Sequence, residues 1–260
     1  MYPNPLKQKL TRGQLVLGTV LPAPDLWVLA TILDVQEVQP DFLWIDTEHA
    51  PFSTEALGAI PVLARQRGVA PLVRVAWNDP ALIKKAYDTG AVAVMVPQID
   101  TPEEAERAVQ YARYAPQGRR GVSPMWPRIA GEDTSQVIRT ANEETVLVLQ
   151  IESQRAYENI DTIKKVPGVD VLFVGPTDLS ASLGKIGETR DTEVQDILRD
   201  VPQRLKDTSI VPATLVGNTA EAQEKILWGY RFVSVGNPLD YGAQTLKQNL
   251  ELIRDNPTGK

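Results

Sequence analysis

His49 is the only histidine in 260 residues, and it closes "FLWIDTEH", an apolar run that ends in two acids, Asp46 and Glu48. Imidazole is the side chain that titrates nearest neutral pH, so a lone histidine beside carboxylates is either a proton-transfer group or a satisfied structural residue. Arg74 interrupts a second apolar run, "PLVRVA". A cation there demands an anionic partner, either a structural acid or a substrate carboxylate or enolate. Glu152 ends "VLVLQIE" two residues after Gln150, and Asp178 follows "VLFVGP". Two carboxylates with an amide oxygen beside them make an incomplete oxygen site for a hard divalent cation, leaving positions for water and substrate. Each acid could instead pair with a base or cap a helix, Asp178 the one starting at "LSASLG".

Other chemistries lack their parts. The chain has no cysteine and no G-x-S-x-G sequence, so thiol chemistry, disulfides and a serine nucleophile elbow are excluded. Lys84, Lys85, Lys164 and Lys165 lie within or at the ends of helical patterns, not at strand ends, which leaves a Schiff-base aldolase without its amine. A metal, an arginine and one imidazole remain, a set suited to stabilising an enolate and moving protons.

These groups must be carried by a regular scaffold. Eight β-rich runs recur along the chain, at 15–20, 42–47, 71–76, 91–97, 146–152, 171–176, 211–216 and 232–237. Most are near-continuously apolar, as parallel strands covered on both faces must be. Amphipathic stretches alternate with them. "NDPALIKKAYDTG" has Asp79 or Asn78 as N-cap, Pro80 in its first turn and Gly90 as its stop; "DTPEEAERAVQYARYAP" has Thr101 before Pro102 and acids in its first turn. The pattern predicts an α/β fold, a closed (β/α)8 TIM barrel forming one domain over residues 1–260, with a doubly wound open sheet as the alternative. All the polar interruptions then fall at the carboxyl ends of strands, where barrels of this kind place their chemistry. One connection is long, "PQGRRGVSPMWPRIAGEDTSQVIRTANEE"; it carries Arg119, Arg120, Trp126 and Arg128 and predicts a short helix at 134–141.

Length and charge set outer bounds. A chain of this size buries about three quarters of its unfolded surface and needs no covalent staple. The formal net charge is −6, with no Lys/Arg block, which argues against nucleic acid or an anionic membrane as partner. The start "MYPNPLKQKL" has no apolar leader core, and no apolar run reaches the roughly 18 residues of a membrane span. A cytoplasmic location is the simplest expectation.

The segments "LWIDTEHAP", "PLVRVAWNDPALIKKAYDTGA", "GRRGVSP", "LQIES" and "LFVGPTDLSASLG" together closely resemble the HpcH/HpaI family of class II, metal-dependent pyruvate aldolases. The similarity runs from about residue 13 to "FVSVGNPLD" and the final helix. The resemblance implies a TIM barrel, a divalent cation (Mg²⁺, Mn²⁺ or Co²⁺), and reversible cleavage of 4-hydroxy-2-oxo acids to pyruvate and an aldehyde. By position it implies metal carboxylates at Glu152 and Asp178, pyruvoyl contacts from Gln150 and from the backbone at Thr177, Arg74 on the transition state and His49 as base. The family aspartate that raises the basicity of this histidine falls on Asp88. Because Asp88 ends its helix, within one barrel it lies far from the strand ends; Asp46 is the simpler local partner, and a neighbouring subunit would be needed to bring Asp88 near.

The resemblance also implies a homo-oligomer, a hexamer built from dimers that exchange the helix at about 238–255. In that helix Leu239, Ala243, Leu246, Leu250 and Ile253 form an apolar stripe, whose plainer reading is an eighth helix lying on its own barrel. This chain departs from many relatives at Pro124-Met125-Trp126-Pro127, at Thr177 and at "VGNPLDYG", and the first and third of these bear on the aldehyde pocket. Two alternatives remain: a metal-enolate lyase or decarboxylase acting on an oxaloacetate-like acid, and a non-catalytic metabolite-binding barrel. The presence of both His49 and Arg74 weighs against the second.

Overall fold

The eight apolar runs become eight parallel strands: β1 (Val16–Leu21), β2 (Phe42–Asp46), β3 (Ala70–Arg74), β4 (Ala93–Val96), β5 (Val146–Ile151), β6 (Val171–Val174), β7 (Val211–Val216) and β8 (Phe232–Val235). Each is hydrogen-bonded to the next and β8 to β1, so the sheet closes into a barrel, with helices following the strands. The open-sheet alternative is thereby excluded. The computed structural model describes residues 4–34, 38–51 and 53–255.

The alternation of side chains along each strand divides the core into two clusters. Leu43, Ile45, Val73, Val94, Val96, Leu147, Leu149, Leu172 and Val174 face outward and pack under the helices. Phe42, Trp44, Leu72, Ala93, Met95, Val146, Val148, Val171 and Phe173 fill the barrel. Gly18 on β1 is required by this filling: a Cβ there would lie 2.5 Å from the Phe42 ring, which stacks on Phe232 with centroids 4.2 Å apart. The same parity carries one step further decides the site. Two residues beyond Trp44 is Asp46, two beyond Leu72 is Arg74, and Gln150 and Glu152 follow Val148. Sequence parity alone thus turns these four polar residues into the mouth of the barrel.

The amino end of the barrel is closed by a helix that the strand pattern does not announce, Pro5–Thr11. Asn4 caps it by accepting from the Leu6 N–H at 3.1 Å, Pro5 occupies its first turn, and Leu6 and Leu10, one turn apart, are buried in the barrel cluster. The predicted helix after β3 is Pro80–Asp88, capped by Asp79. Thr101 and Glu104 form a reciprocal capping box on Pro102–Ala112. The long connection holds two helices, Trp126–Ala130 and Thr134–Glu144.

The C-terminal helix, Pro238–Asp255, has no buried residue. Leu239, Leu246, Leu250 and Ile253 of the expected stripe are all exposed, and Leu252 beside them is too. Tyr241 in its first turn donates to the Gly217 carbonyl at 3.3 Å, but the stripe beyond it does not lie on its own barrel, which corrects the plainer reading. No helix among the described residues is long and apolar enough to cross a membrane.

Candidate active site

The β2–β3 register pairs Asp46 directly with Arg74. Their side chains form a two-pronged ion pair, Nε to Oδ1 at 2.9 Å and Nη2 to Oδ2 at 2.6 Å. The fork geometry suits guanidinium against carboxylate and fixes the plane of the arginine. Arg74 also lies over the Trp44 ring, 4.8 Å from its centroid. Burial works against the Asp46 charge, but the Arg74 hydrogen bonds and charge, with the backbone N–H groups of Glu48 and His49, hold its carboxyl below the usual range. The remaining guanidinium nitrogen, Nη1, reaches Gln150 Oε1 at 3.4 Å and lies 2.9 Å from Glu48 Oε2. That Oε2 is nevertheless buried without a hydrogen bond, so Arg74 faces it as a charge and not as an aligned donor.

Gln150 is buried and its Nε2 donates to Glu152 Oε2 at 2.7 Å. The other oxygen of Glu152 accepts from the Gln98 backbone N–H at 2.7 Å. Gln98 has φ +53°, a left-handed conformation that a side chain rarely adopts and that aims its N–H at the carboxylate. Gly175 leaves room for both side chains: a Cβ there would stand 3.0 Å from Glu152 Oε2 and 3.4 Å from Gln150 Nε2.

Asp178 lies inside the first turn of the helix Pro176–Ser182, which starts three residues before "LSASLG" with Gly175 at its N-cap, so Asp178 is not the cap; Thr177 precedes it. Glu48, His49, Gln98, Asp100, Glu152, Ser153 and Asp178 line a cavity of about 200 Å³ at this end of the barrel. Two of its acids, Glu152 and Glu48, are raised. Burial pushes Glu152 up to about 7, with Asp178 and Glu48 adding to the rise against the Gln98 N–H. Burial likewise pushes Glu48 up to about 7; Arg74 opposes this, and Asp46 and Asp178 reinforce it. A larger groove of about 650 Å³ lies at the opposite end, beside Lys7 and Pro212, but it contains none of these groups, and Lys7 is spent on Asp170.

His49, with a side chain 63% exposed, stands at the rim, its Nε2 3.7 Å from Glu48 Oε2. Asp46 is not its partner here, since both Asp46 oxygens are engaged by Arg74. Asp88 ends its helix away from the strand ends. Its Oδ1 accepts from Arg120 Nη2 at 2.9 Å, and that guanidinium lies 4.5 and 4.6 Å from the Tyr87 and Tyr114 ring centroids. Within one chain, then, the structure brings His49, Arg74, Gln150, Glu152 and Asp178 together and leaves Asp88 out. None of residues 124–127 lines the cavity: Trp126 is buried against Val62 and Val137, under Arg65 at 3.8 Å, while Met125 is exposed. Sequence reasoning passed over Gln98, whose contribution is a backbone N–H with no side-chain signature, and gave no role to Glu48.

The raised acids make a signed prediction. Both start from 4.5 and reach about 7 in the folded chain, so between those values the unfolded chain ionises first and folding loses stability as pH rises. The melting temperature of chelator-treated protein is expected to fall by a few degrees from about pH 5 to pH 8 through this linkage. Glu152→Gln, which removes one of these charges, should show a shallower fall in calorimetry.

Known proteins share this arrangement of chain and fold. A 2-keto-3-deoxy-L-rhamnonate aldolase of Salmonella gallinarum is 36% identical over 98% of this chain and 94% of its own. An HpcH/HpaI aldolase/citrate lyase family protein from Burkholderia cenocepacia superimposes with a TM-score of 0.85 at 32% identity, covering 96% of this chain and 99% of that one. An HpcH/HpaI aldolase from Desulfitobacterium hafniense does so with a TM-score of 0.88 at 26% identity, covering 97% and 98%. The sequence pattern that defines the HpcH/HpaI aldolase/citrate lyase family matches residues 29–241. On the fold, the pattern match and these relatives, the chain belongs to the HpcH/HpaI aldolase/citrate lyase family and is a carbon–carbon lyase of its aldolase group.

Proposed function

We propose that this enzyme cleaves 4-hydroxy-2-oxo acids reversibly to pyruvate and an aldehyde, with a divalent cation (Mg²⁺, Mn²⁺ or Co²⁺) held by Glu152 and Asp178. The observation that carries the reading is that His49, Glu152 and Asp178 line one small cavity at the strand ends, with Gln150 bonded to Glu152 and Arg74 beside Gln150 and Glu48 directly behind them. What supports the cation is the donor set. Glu152 and Asp178 line that cavity, and burial together with the charges of Asp178 and Glu48 pushes the Glu152 carboxyl up, as a countercharge would relieve. Two carboxylates with open positions suit a hard cation that also takes water and substrate oxygens. When bound, the cation supplies Lewis acidity at the 2-oxo group and a countercharge for the enolate.

The chain's own residues do the rest. Gln150 and the backbone at Thr177 orient the pyruvoyl portion. His49 removes the C4-hydroxyl proton, the C3–C4 bond breaks, and the aldehyde leaves. Arg74, already fixed in plane by Asp46, faces the oxygen on which charge develops, and such a preset donor stabilises the transition state more than the ground state. Protonation at C3 gives pyruvate. Asp88 enters this scheme only from a neighbouring subunit.

Oligomerisation is part of the proposal. The uncovered stripe of Pro238–Asp255 supports exchange of this helix between two chains, within the hexamer that the family resemblance implies. A chain ending at Gly236 is expected to lose assembly in light scattering and to bind a hydrophobic dye. A clean, fully active 28.7 kDa monomer of the intact chain would defeat helix exchange.

The substrate named by the Salmonella gallinarum relative, 2-keto-3-deoxy-L-rhamnonate, is the first to test. Cleavage between C3 and C4 yields pyruvate and a neutral hydroxyaldehyde, read by a coupled lactate dehydrogenase. A second substrate class, oxaloacetate-like acids, is measured alongside it.

A further inference from the structure

Among the described residues, Gln98 is the one non-glycine with a positive φ, +53° shortly after β4 ends at Val96. Its backbone N–H holds Glu152, but glycine adopts that conformation freely and would hold the carboxylate as well. A side chain kept at an unfavourable backbone position points to a use for the side chain itself.

The same conformation decides where its neighbours face. Val94 and Val96 pack under the helices, so strict alternation would send residues 98 and 100 outward too. The left-handed turn at Gln98 resets the alternation, as a one-residue bulge does. Ile99 goes to the helix side, its N–H on the Gln150 carbonyl at 3.3 Å, while Gln98 and Asp100 line the cavity with His49. Asp100 is held there by Ser153, whose hydroxyl donates to Oδ1 at 2.5 Å. The Gln98 side chain is exposed, and its amide has no hydrogen-bond partner among the described residues.

Glu152 and Asp178 go to the cation in the reading above. What remains of the cavity wall for the aldehyde half of a substrate is Gln98, Asp100, Ser153, Glu48 and His49, with no lysine or arginine. Arg74 stands behind that wall, engaged by Asp46, Gln150 and Glu48. A hydroxyl finds partners on such a surface, whereas a carboxylate meets Asp100 and Glu48 without a countercharge.

Resting on the aldolase reading above, we infer that Gln98 is a specificity-determining residue: its side-chain amide hydrogen-bonds a hydroxyl on the aldehyde half, and Asp100 beside it turns away aldehydes that carry a carboxylate. The substrate class is therefore 4-hydroxy-2-oxo acids whose aldehyde half is neutral and hydroxylated.

Three small aldehydes separate the parts of this inference: lactaldehyde, propanal, which lacks only its hydroxyl, and glyoxylate, which carries a carboxylate. Condensation of each with pyruvate is measured as kcat/KM on the cation-loaded enzyme. Gln98→Gly relaxes the backbone and keeps the N–H on Glu152, so it is expected to fold and to melt near the parent. Its preference for lactaldehyde over propanal should drop by ~3–10-fold, the worth of one hydrogen bond. Gln98→Asn, which tolerates the left-handed region and keeps a shorter amide, retains part of that preference. Asp100→Asn is expected to raise glyoxylate relative to propanal by ~2–5-fold, the scale of one partly screened charge. A lactaldehyde preference unchanged in Gln98→Gly, even if both rates fall together, would overturn the assignment and leave Gln98 its backbone role alone. A glyoxylate ratio unmoved in Asp100→Asn would overturn the exclusion of acidic aldehydes. No product from any aldehyde with the parent enzyme would refute the aldolase reading, and this inference with it.

Discussion

Arg74→Ala is expected to lower kcat for cleavage by ~10²–10³, the usual cost of removing one preset oxyanion donor. The loss should appear in kcat and kcat/KM together, because the interaction grows as charge develops. Arg74 does two things, however: it presents Nη1 to Gln150 and Glu48 behind the cavity, and it neutralises Asp46 in a largely buried pair. Alanine leaves that carboxylate unpaired, so some of the damage will be to stability. Arg74→Lys separates the contributions. A lysine keeps the charge near Asp46 but cannot present the planar fork that binds both oxygens while leaving a further nitrogen for the site. The lysine variant should melt close to the parent and still be slow. A change in KM alone would reassign Arg74 to ground-state binding of the substrate.

His49→Ala is the second large effect. Proton transfer by a positioned side chain contributes ~10²–10⁴ to rate, and the chain has no other histidine to take over. Because the ring is 63% exposed and buries little, the variant should fold and melt normally. It should also retain decarboxylation of oxaloacetate, in which no hydroxyl proton is removed. Side-by-side assays of the two reactions on one preparation check this. Loss of both in equal measure would point to a structural role.

The scaffold was legible because its signal is local. Eight apolar runs, each followed by capped helical patterns, are enough for a barrel, and strand parity points Asp46, Arg74, Gln150 and Glu152 inward. What was hidden depends on which strand lies beside which, and how far along. The Asp46–Arg74 pair follows from the β2–β3 register, so Asp46, which sequence proximity offers to His49, is taken by the arginine. Gln98 acts through a backbone N–H in a left-handed conformation, which no residue type there announces. Glu48 lines the cavity from the loop that follows the end of β2 at Asp46, where strand parity no longer applies. The helix Pro5–Thr11 carried its own signals, an Asn-Pro start and leucines one turn apart, but is too short for periodicity to stand out. The final helix shows the opposite limit. Its stripe was plain, yet a stripe requires only some covering surface and does not say whose.

The most direct test is pyruvate release from 2-keto-3-deoxy-L-rhamnonate and related 4-hydroxy-2-oxo acids, followed through a coupled dehydrogenase before chelation, after it, and after Mn²⁺, Co²⁺ or Mg²⁺ is returned. Turnover that disappears on chelation and comes back with the cation, but fails to come back in Glu152→Ala, is the predicted result. Undiminished activity in the chelated enzyme, or no pyruvate from any such acid, would contradict the account.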